Sequence, residues 1–158
     1  ISACLVGSEM CIRDSYLHDQ TVRLLNAGLT PGEIAEAVQL PSTLAAQWAS
    51  RGYYGTVKHN VRAVAQFYLG WFDAHPATLD PLPPVEAARR YVALAGGADA
   101  AVAAARQAFD AGDYRWAAEL LRHVLLADSN NAAAKDLMAR SFEQMGYAAD
   151  PRPGATST

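Results

Sequence analysis

Apolar residues recur three and four positions apart along most of this chain, a period that predicts one helix after another. Leu17, Val22, Leu24 and Leu25 mark a first helix from Tyr16, closed by Gly28, a residue suited to a helix C-cap. Thr30, Pro31 and Glu33 then supply the N-cap, N1 and N3 residues of a capping box, which predicts a short helix through Val38. Pro41 breaks that helix, and Ser42 is placed to cap a third one carrying Leu44, Ala45 and Trp48 up to Ser50. The segment Arg51-Gly52-Tyr53-Tyr54-Gly55-Thr56 sets two glycines around two aromatics and reads as a loop.

A long helix is predicted from Val57 to Phe72, with Val57, Val61, Val64, Tyr68 and Phe72 on one stripe and Lys58, Arg62 and Gln66 on another face. Its last turns are apolar nearly all round, which an isolated surface helix would not tolerate. The helices at 17–27 and 42–50 can cover one side only. A single chain is therefore expected to leave a strip of Phe67, Tyr68, Trp71 and Phe72 uncovered, and Phe67, Leu69, Trp71 and Phe72 are assigned to the core or to a dimer contact.

Pro76, Pro81, Pro83 and Pro84 make residues 73–84 a stiff extended connection between two lobes, 16–75 and 84–149. Pro84 fits N1 of a helix that ends at Gly96-Gly97, and the alanine-rich tract from Ala98 to Ala111 is a strong helix former. Next come Gly112-Asp113-Tyr114-Arg115-Trp116-Ala117, then Leu120, Leu121, Val124 and the turn Asp128-Ser129-Asn130-Asn131. This stretch resembles a tetratricopeptide repeat, with Gly112 allowing close helix approach, Tyr114 and Ala117 at the crossing, and the turn capping the following helix. Gly146-Tyr147 returns 34 positions after Gly112, the period of that repeat, although Ser129 stands where proline is usual. About one and a half repeats favour packing against a neighbour over a peptide-binding superhelix. The expected fold is an all-α array of about seven helices with a tetratricopeptide-like C-terminal half, followed by a disordered tail at 150–158.

Composition narrows the function. The 158 residues are 51% hydrophobic and 18% charged, enough for one ordinary core. A net charge of -3 argues against nucleic acid and against anionic lipid, since binding phosphate needs clustered Lys and Arg. No apolar run approaches the roughly 18 residues of a membrane span. Residues 29–45 resemble a helix-turn-helix, but the second helix offers Gln47 and Ser50 with Arg51 just beyond and no lysine, a poor set for reading bases. Cys4 and Cys11 fit neither a redox pair nor a zinc knuckle. The segment from Cys4 to Ser15 resembles translated sequencing-adapter sequence, so residues 1–15 are read as a non-native leader.

Several longer motifs occur together in order: Tyr16-Leu17-His18-Asp19-Gln20-Thr21, Gly28-Leu29-Thr30-Pro31, residues 51–56, His59-Asn60-Val61-Arg62, Tyr68-Leu69-Gly70-Trp71-Phe72-Asp73 and Asp80-Pro81-Leu82-Pro83-Pro84. Together they resemble the dimerisation domain of the alkyl sulfatases over residues 16–149. The resemblance implies a bacterial, homodimeric parent enzyme in three parts. These are a metallo-β-lactamase-fold catalytic domain with two zinc ions, this helical domain, and a sterol-carrier-like domain with an apolar pocket. It also implies hydrolysis of a primary or secondary alkyl sulfate to alcohol and sulfate. The family's His-x-His-x-Asp-His zinc motif has no match here, and His18, His59, His75 and His123 do not sit at metal-ligand spacing. The segment is accordingly expected to be a non-catalytic piece without zinc or other cofactor. A free-standing tetratricopeptide-like adaptor is the alternative.

His59 and Arg62 lie three apart and can share one side near the start of the long helix, with Tyr53, Tyr54 and Asn60 close in sequence. A cation with hydroxyl and amide donors at a helix N-terminus suits a sulfate ester. Tyr53, Tyr54, His59, Asn60, Arg62 and Tyr68 are the candidate sulfate contacts of the intact enzyme. The plainer alternative makes Arg62 a solvated surface residue and the tyrosines ordinary core.

Overall fold

The computed structural model describes residues 2–50, 52, 55–73 and 75–148, with side chains from Met10 onward. Tyr53, Tyr54 and the expected disordered tail at 150–158 lie outside the described residues. The described residues form eight α-helices and no strand: α1 Ser2–Asn26, α2 Pro31–Ala37, α3 Ser42–Ala45, α4 Val57–Leu69, α5 Pro84–Leu94, α6 Ala98–Asp110, α7 Tyr114–Ala127 and α8 Ala132–Ala148. Short 3-10 turns occupy Trp48–Ser50 and Pro76–Thr78. The chain divides into two compact units between Asp80 and Pro81, inside the proline-rich connection.

In the first unit α4 packs on both α1 and α2. Leu17, Ile34, Ala35, Val38 and Val61 form its core, with Leu24, Leu25 and Leu29 against them. Thr21 is fully buried in this apolar setting because its hydroxyl donates to the Leu17 carbonyl at 2.6 Å, one turn back. The capping box at Thr30 and Glu33 is present, with Pro31 in the first turn.

Three local expectations change. The first helix does not begin at Tyr16 but runs back to Ser2, through a stretch without proline; Met10 and Ile12 there are exposed. The third helix does not continue to Ser50. Pro41 rather than Ser42 takes the cap position, Ser42 makes no capping bond, and α3 stops after four residues. The long helix ends at Leu69 instead of Phe72, because Gly70 turns the backbone into the left-handed region at φ +71°. Trp71 and Phe72 therefore lie beyond the helix, their rings 5.6 Å apart.

In the second unit α7 is central and packs against α5, α6 and α8. Ala101, Ala105, Leu121, Val124, Ala134 and Leu137 make the core, small residues of α6 and α8 facing the larger ones of α7 and α8. Asp113 caps α7 by accepting from the Trp116 N–H at 3.2 Å, and Asn131 caps α8 by accepting from Ala134 at 2.9 Å. Ala117 is fully buried, and Tyr114 meets Phe109 edge-on at 5.1 Å. The role expected for Gly112 is corrected. A Cβ there would meet nothing within 4 Å, so the residue does not serve close helix approach; it supplies the turn between α6 and α7 at φ +81°.

Candidate functional site

The first turn of α4 is built by Thr56. Its extended backbone ends the preceding loop, and its hydroxyl oxygen accepts from the His59 N–H at 3.3 Å and lies 3.1 Å from His59 Nδ1. His59 is exposed on this turn. Asn60 is half-buried and its carboxamide oxygen lies against Gly55, where a Cβ would approach to 3.0 Å. A Cβ on Gly52 would come within 2.3 Å of the Gly55 carbonyl oxygen, so the loop closes on itself too tightly for any side chain at 52. The requirement for Gly52 is a close approach that sequence alone does not reveal.

Arg62 is exposed one turn beyond His59 and makes no ion pair among the described residues. Lys58, expected on the same face, is instead paired with Glu36 of α2. This end of α4 thus presents a helix N-terminus, a free guanidinium and an imidazole to solvent, a combination suited to an anion.

Tyr68 is placed elsewhere. It follows His59 by nine residues, which on an α-helix is half a turn round and about 13 Å along the axis, so one sulfate group cannot bridge the two. Its hydroxyl lies 2.7 Å from His18 Nε2 on α1, and His18 Nδ1 lies 3.0 Å from the Asp19 carboxylate. Arg62 is three residues from His59 and can share a ligand with it, whereas Tyr68 lies six residues further on, about 9 Å along the axis and on another side of the helix. His18 and Asp19 are the polar groups that the site reading missed. Neighbours in sequence carry no helical-face signal, and only the packing of α1 on α4 brings them to Tyr68.

At the end of α4 and just beyond it, three of the four rings expected to be uncovered are exposed and Phe72 is not. Phe67 is 81% exposed, Trp71 72%, Tyr68 51% and Leu69 43%, while Phe72 is half-buried. Just beyond, Asp73 accepts from the Thr78 hydroxyl and from the His75 N–H, and these bonds hold its carboxyl below the ordinary carboxylate range. In the second unit, a cavity of about 520 Å³ is bordered by Tyr91, Leu94, Trp116, Leu120, Arg122 and His123. The His123 ring packs 4.7 Å from Tyr91, and its shielded Nδ1 has no hydrogen-bond partner among the described residues. Among the described residues no three His, Cys, Asp or Glu side chains gather as a metal centre requires.

An all-helical scaffold with an anion-suited helix start and an uncovered aromatic edge defines a module made to be completed by other protein surface. Residues 30–154 match the family described as alkyl sulfatase dimerisation, and the chain belongs to that family. It is 51% identical over 140 residues to the alkyl/aryl-sulfatase BDS1 of Saccharomyces cerevisiae, covering 87% of this chain and 22% of that protein. A linear primary-alkylsulfatase from Pseudomonas sp is 50% identical over 138 residues, covering 87% of this chain and 20% of that one. Yeast thus stands beside bacteria among the relatives. The solved structure of the stereoselective inverting sec-alkylsulfatase Pisa1 from Pseudomonas sp superposes with a TM-score of 0.81 at 49% identity, covering 84% of this chain and 21% of that one. The chain spans about a fifth of the length of the relatives it matches.

Proposed function

We propose that this chain is the dimerisation domain of an alkyl sulfatase, a sulfuric ester hydrolase that splits alkyl sulfates into alcohol and sulfate. The hydrolytic chemistry, with two zinc ions, belongs to a catalytic domain elsewhere in the parent chain, and a sterol-carrier-like domain completes it. The observation that carries this reading is the family match over residues 30–154 at about half identity to named alkylsulfatases.

Two surfaces divide the work. The uncovered Phe67, Leu69 and Trp71, with the half-buried Phe72, face a second copy, giving a homodimer. The start of α4, with His59, Asn60 and Arg62 and with Tyr53 and Tyr54 shortly before it in sequence, borders the pocket and binds the sulfate group, while Tyr68, two and a half turns beyond His59, is a separate anion contact. Arg62 supplies a permanent charge and a forked donor set, which a sulfate oxygen pair can accept. In the full-length enzyme, Arg62→Ala should lower kcat/KM for alkyl sulfate by at least about tenfold, the loss of one charge-assisted contact. Unchanged kinetics would remove Arg62 from the site.

A further inference from the structure

We propose that Asp19 and His18 decide which way the Tyr68 hydroxyl points its proton, and so make Tyr68 a better anion ligand when His18 is protonated. The inference rests on the reading of Tyr68 as a sulfate contact. The geometry is a chain of three groups: Asp19 carboxylate to His18 Nδ1 at 3.0 Å, and His18 Nε2 to Tyr68 hydroxyl at 2.7 Å.

The proton positions follow from what each group can do. A carboxylate only accepts, so His18 Nδ1 must carry the hydrogen that faces Asp19. In the neutral ring Nε2 is then bare and must accept from the Tyr68 O–H. That bond consumes the phenol's one proton and leaves only lone pairs outward, which repel an anion. When the ring takes up a proton, Nε2–H donates to the phenol oxygen instead. The phenol hydrogen is thereby released to be donated to a sulfate oxygen. One proton from solvent reverses one hydrogen bond, and the positive ring beside it adds to the attraction.

The surroundings of His18 leave Asp19 as the only charge in hydrogen-bond contact with it among the described residues. On α1, Asp14 is paired with Arg13, and Arg23 is bonded to Gln20. From α4, Tyr68 is the titratable group against the ring, with Arg62 about 9 Å earlier along the axis. On α2, Glu33 is tied to Thr30 and Glu36 to Lys58. The turn Trp48–Ser50, also packed on α1, carries no charge.

The test uses the 158-residue chain and octyl sulfate below its micelle concentration. Nitrogen NMR of the neutral His18 ring should find the proton on Nδ1; a proton on Nε2 overturns the proposal by itself. At constant ionic strength, octyl sulfate should bind tighter in mild acid, at roughly pH 5.5, than at roughly pH 8. Tyr68→Phe keeps the ring and removes the hydroxyl, and should cut that acid-to-base ratio by on the order of fivefold. His59 is present in both chains, so the difference between them belongs to Tyr68. Binding whose ratio is the same with Tyr68 and with Phe sinks the coupling alone. Absence of binding at every pH removes Tyr68 from the sulfate site and the coupling with it.

Discussion

Thr30 and Glu33 cap α2 from both directions: the Thr30 hydroxyl oxygen accepts from the Glu33 N–H at 3.4 Å, while the Glu33 carboxylate accepts from the Thr30 N–H at 2.8 Å and from its hydroxyl at 2.7 Å. Thr30→Ala should therefore cost about 1 kcal/mol. The Thr30 backbone N–H, then its hydroxyl, hold the Glu33 carboxyl below its ordinary value of 4.5. Because the folded value is the lower one, the contribution of Glu33 is present above about 4.5 and is lost as pH falls through the folded value. Glu33→Gln removes the carboxylate that both Thr30 bonds hold, so thermal melts across that window should show Glu33→Gln and the parent chain converging in acid, and a constant difference between them would contradict the reciprocal cap.

Two glycines should respond differently to the same methyl group. At Gly112 the added Cβ meets open space and the cost is the left-handed backbone alone, about 1 kcal/mol. At Gly52 the Cβ would press on the Gly55 carbonyl oxygen at 2.3 Å, so the loop before α4 must move. Gly112→Ala should lower the melting temperature and leave octyl sulfate binding intact. Gly52→Ala should weaken that binding more than it lowers the melting temperature, and the reverse pattern would detach the loop from the site.

The core of the second unit sets a larger scale. Leu121 on α7 is fully buried among Ala101, Ala105, Val124, Ala134 and Leu137. Leu121→Ala leaves a cavity where three helices meet α7, and should destabilise this unit by roughly 2–5 kcal/mol. Hydrogen exchange should report the loss across α5 to α8, and a change under about 1 kcal/mol would mean that the neighbouring helices close the gap.

Much of this architecture is legible in the chain itself, and the failures have physical causes. Helix starts governed by a local rule, such as Thr30-Pro31 with Glu33 or Pro84 at N1, appear where that rule puts them. Ends governed by competition do not. The apolar pattern through Phe72 argues for helix, but Gly70 in the left-handed region stops α4 at Leu69. Likewise Ser42 has the right side chain for a cap, yet Pro41 occupies the position. The candidate site is legible only where its residues are close in sequence, as His59, Asn60 and Arg62 are within one turn of α4. His18 is 50 residues from Tyr68, a pairing that only tertiary packing makes.

The dimer surface yields the last prediction. Phe67, Leu69, Trp71 and the half-buried Phe72 expose on the order of 500 Å² on one copy, taking large apolar side chains at about 150–250 Å² each. Counted over two copies that is about 1,000 Å², the lower bound for a specific interface. The patch is therefore sufficient only if nearly all of it is used, and removing its two most exposed rings should drop the contact below that bound. Phe67→Ser with Trp71→Ser should weaken self-association at least about tenfold, since a central aromatic is commonly worth about 2 kcal/mol or more. Neither ring belongs to the cores around Leu17 or Leu121, so the fold should survive. Leu94→Ser is the matching control, because Leu94 is 84% exposed on α5 in the other unit. Sedimentation at micromolar concentration should find a dimer for the parent chain and for Leu94→Ser, and monomer for the double variant. A dimer that survives the loss of Phe67 and Trp71 but not of Leu94 would move the interface to α5.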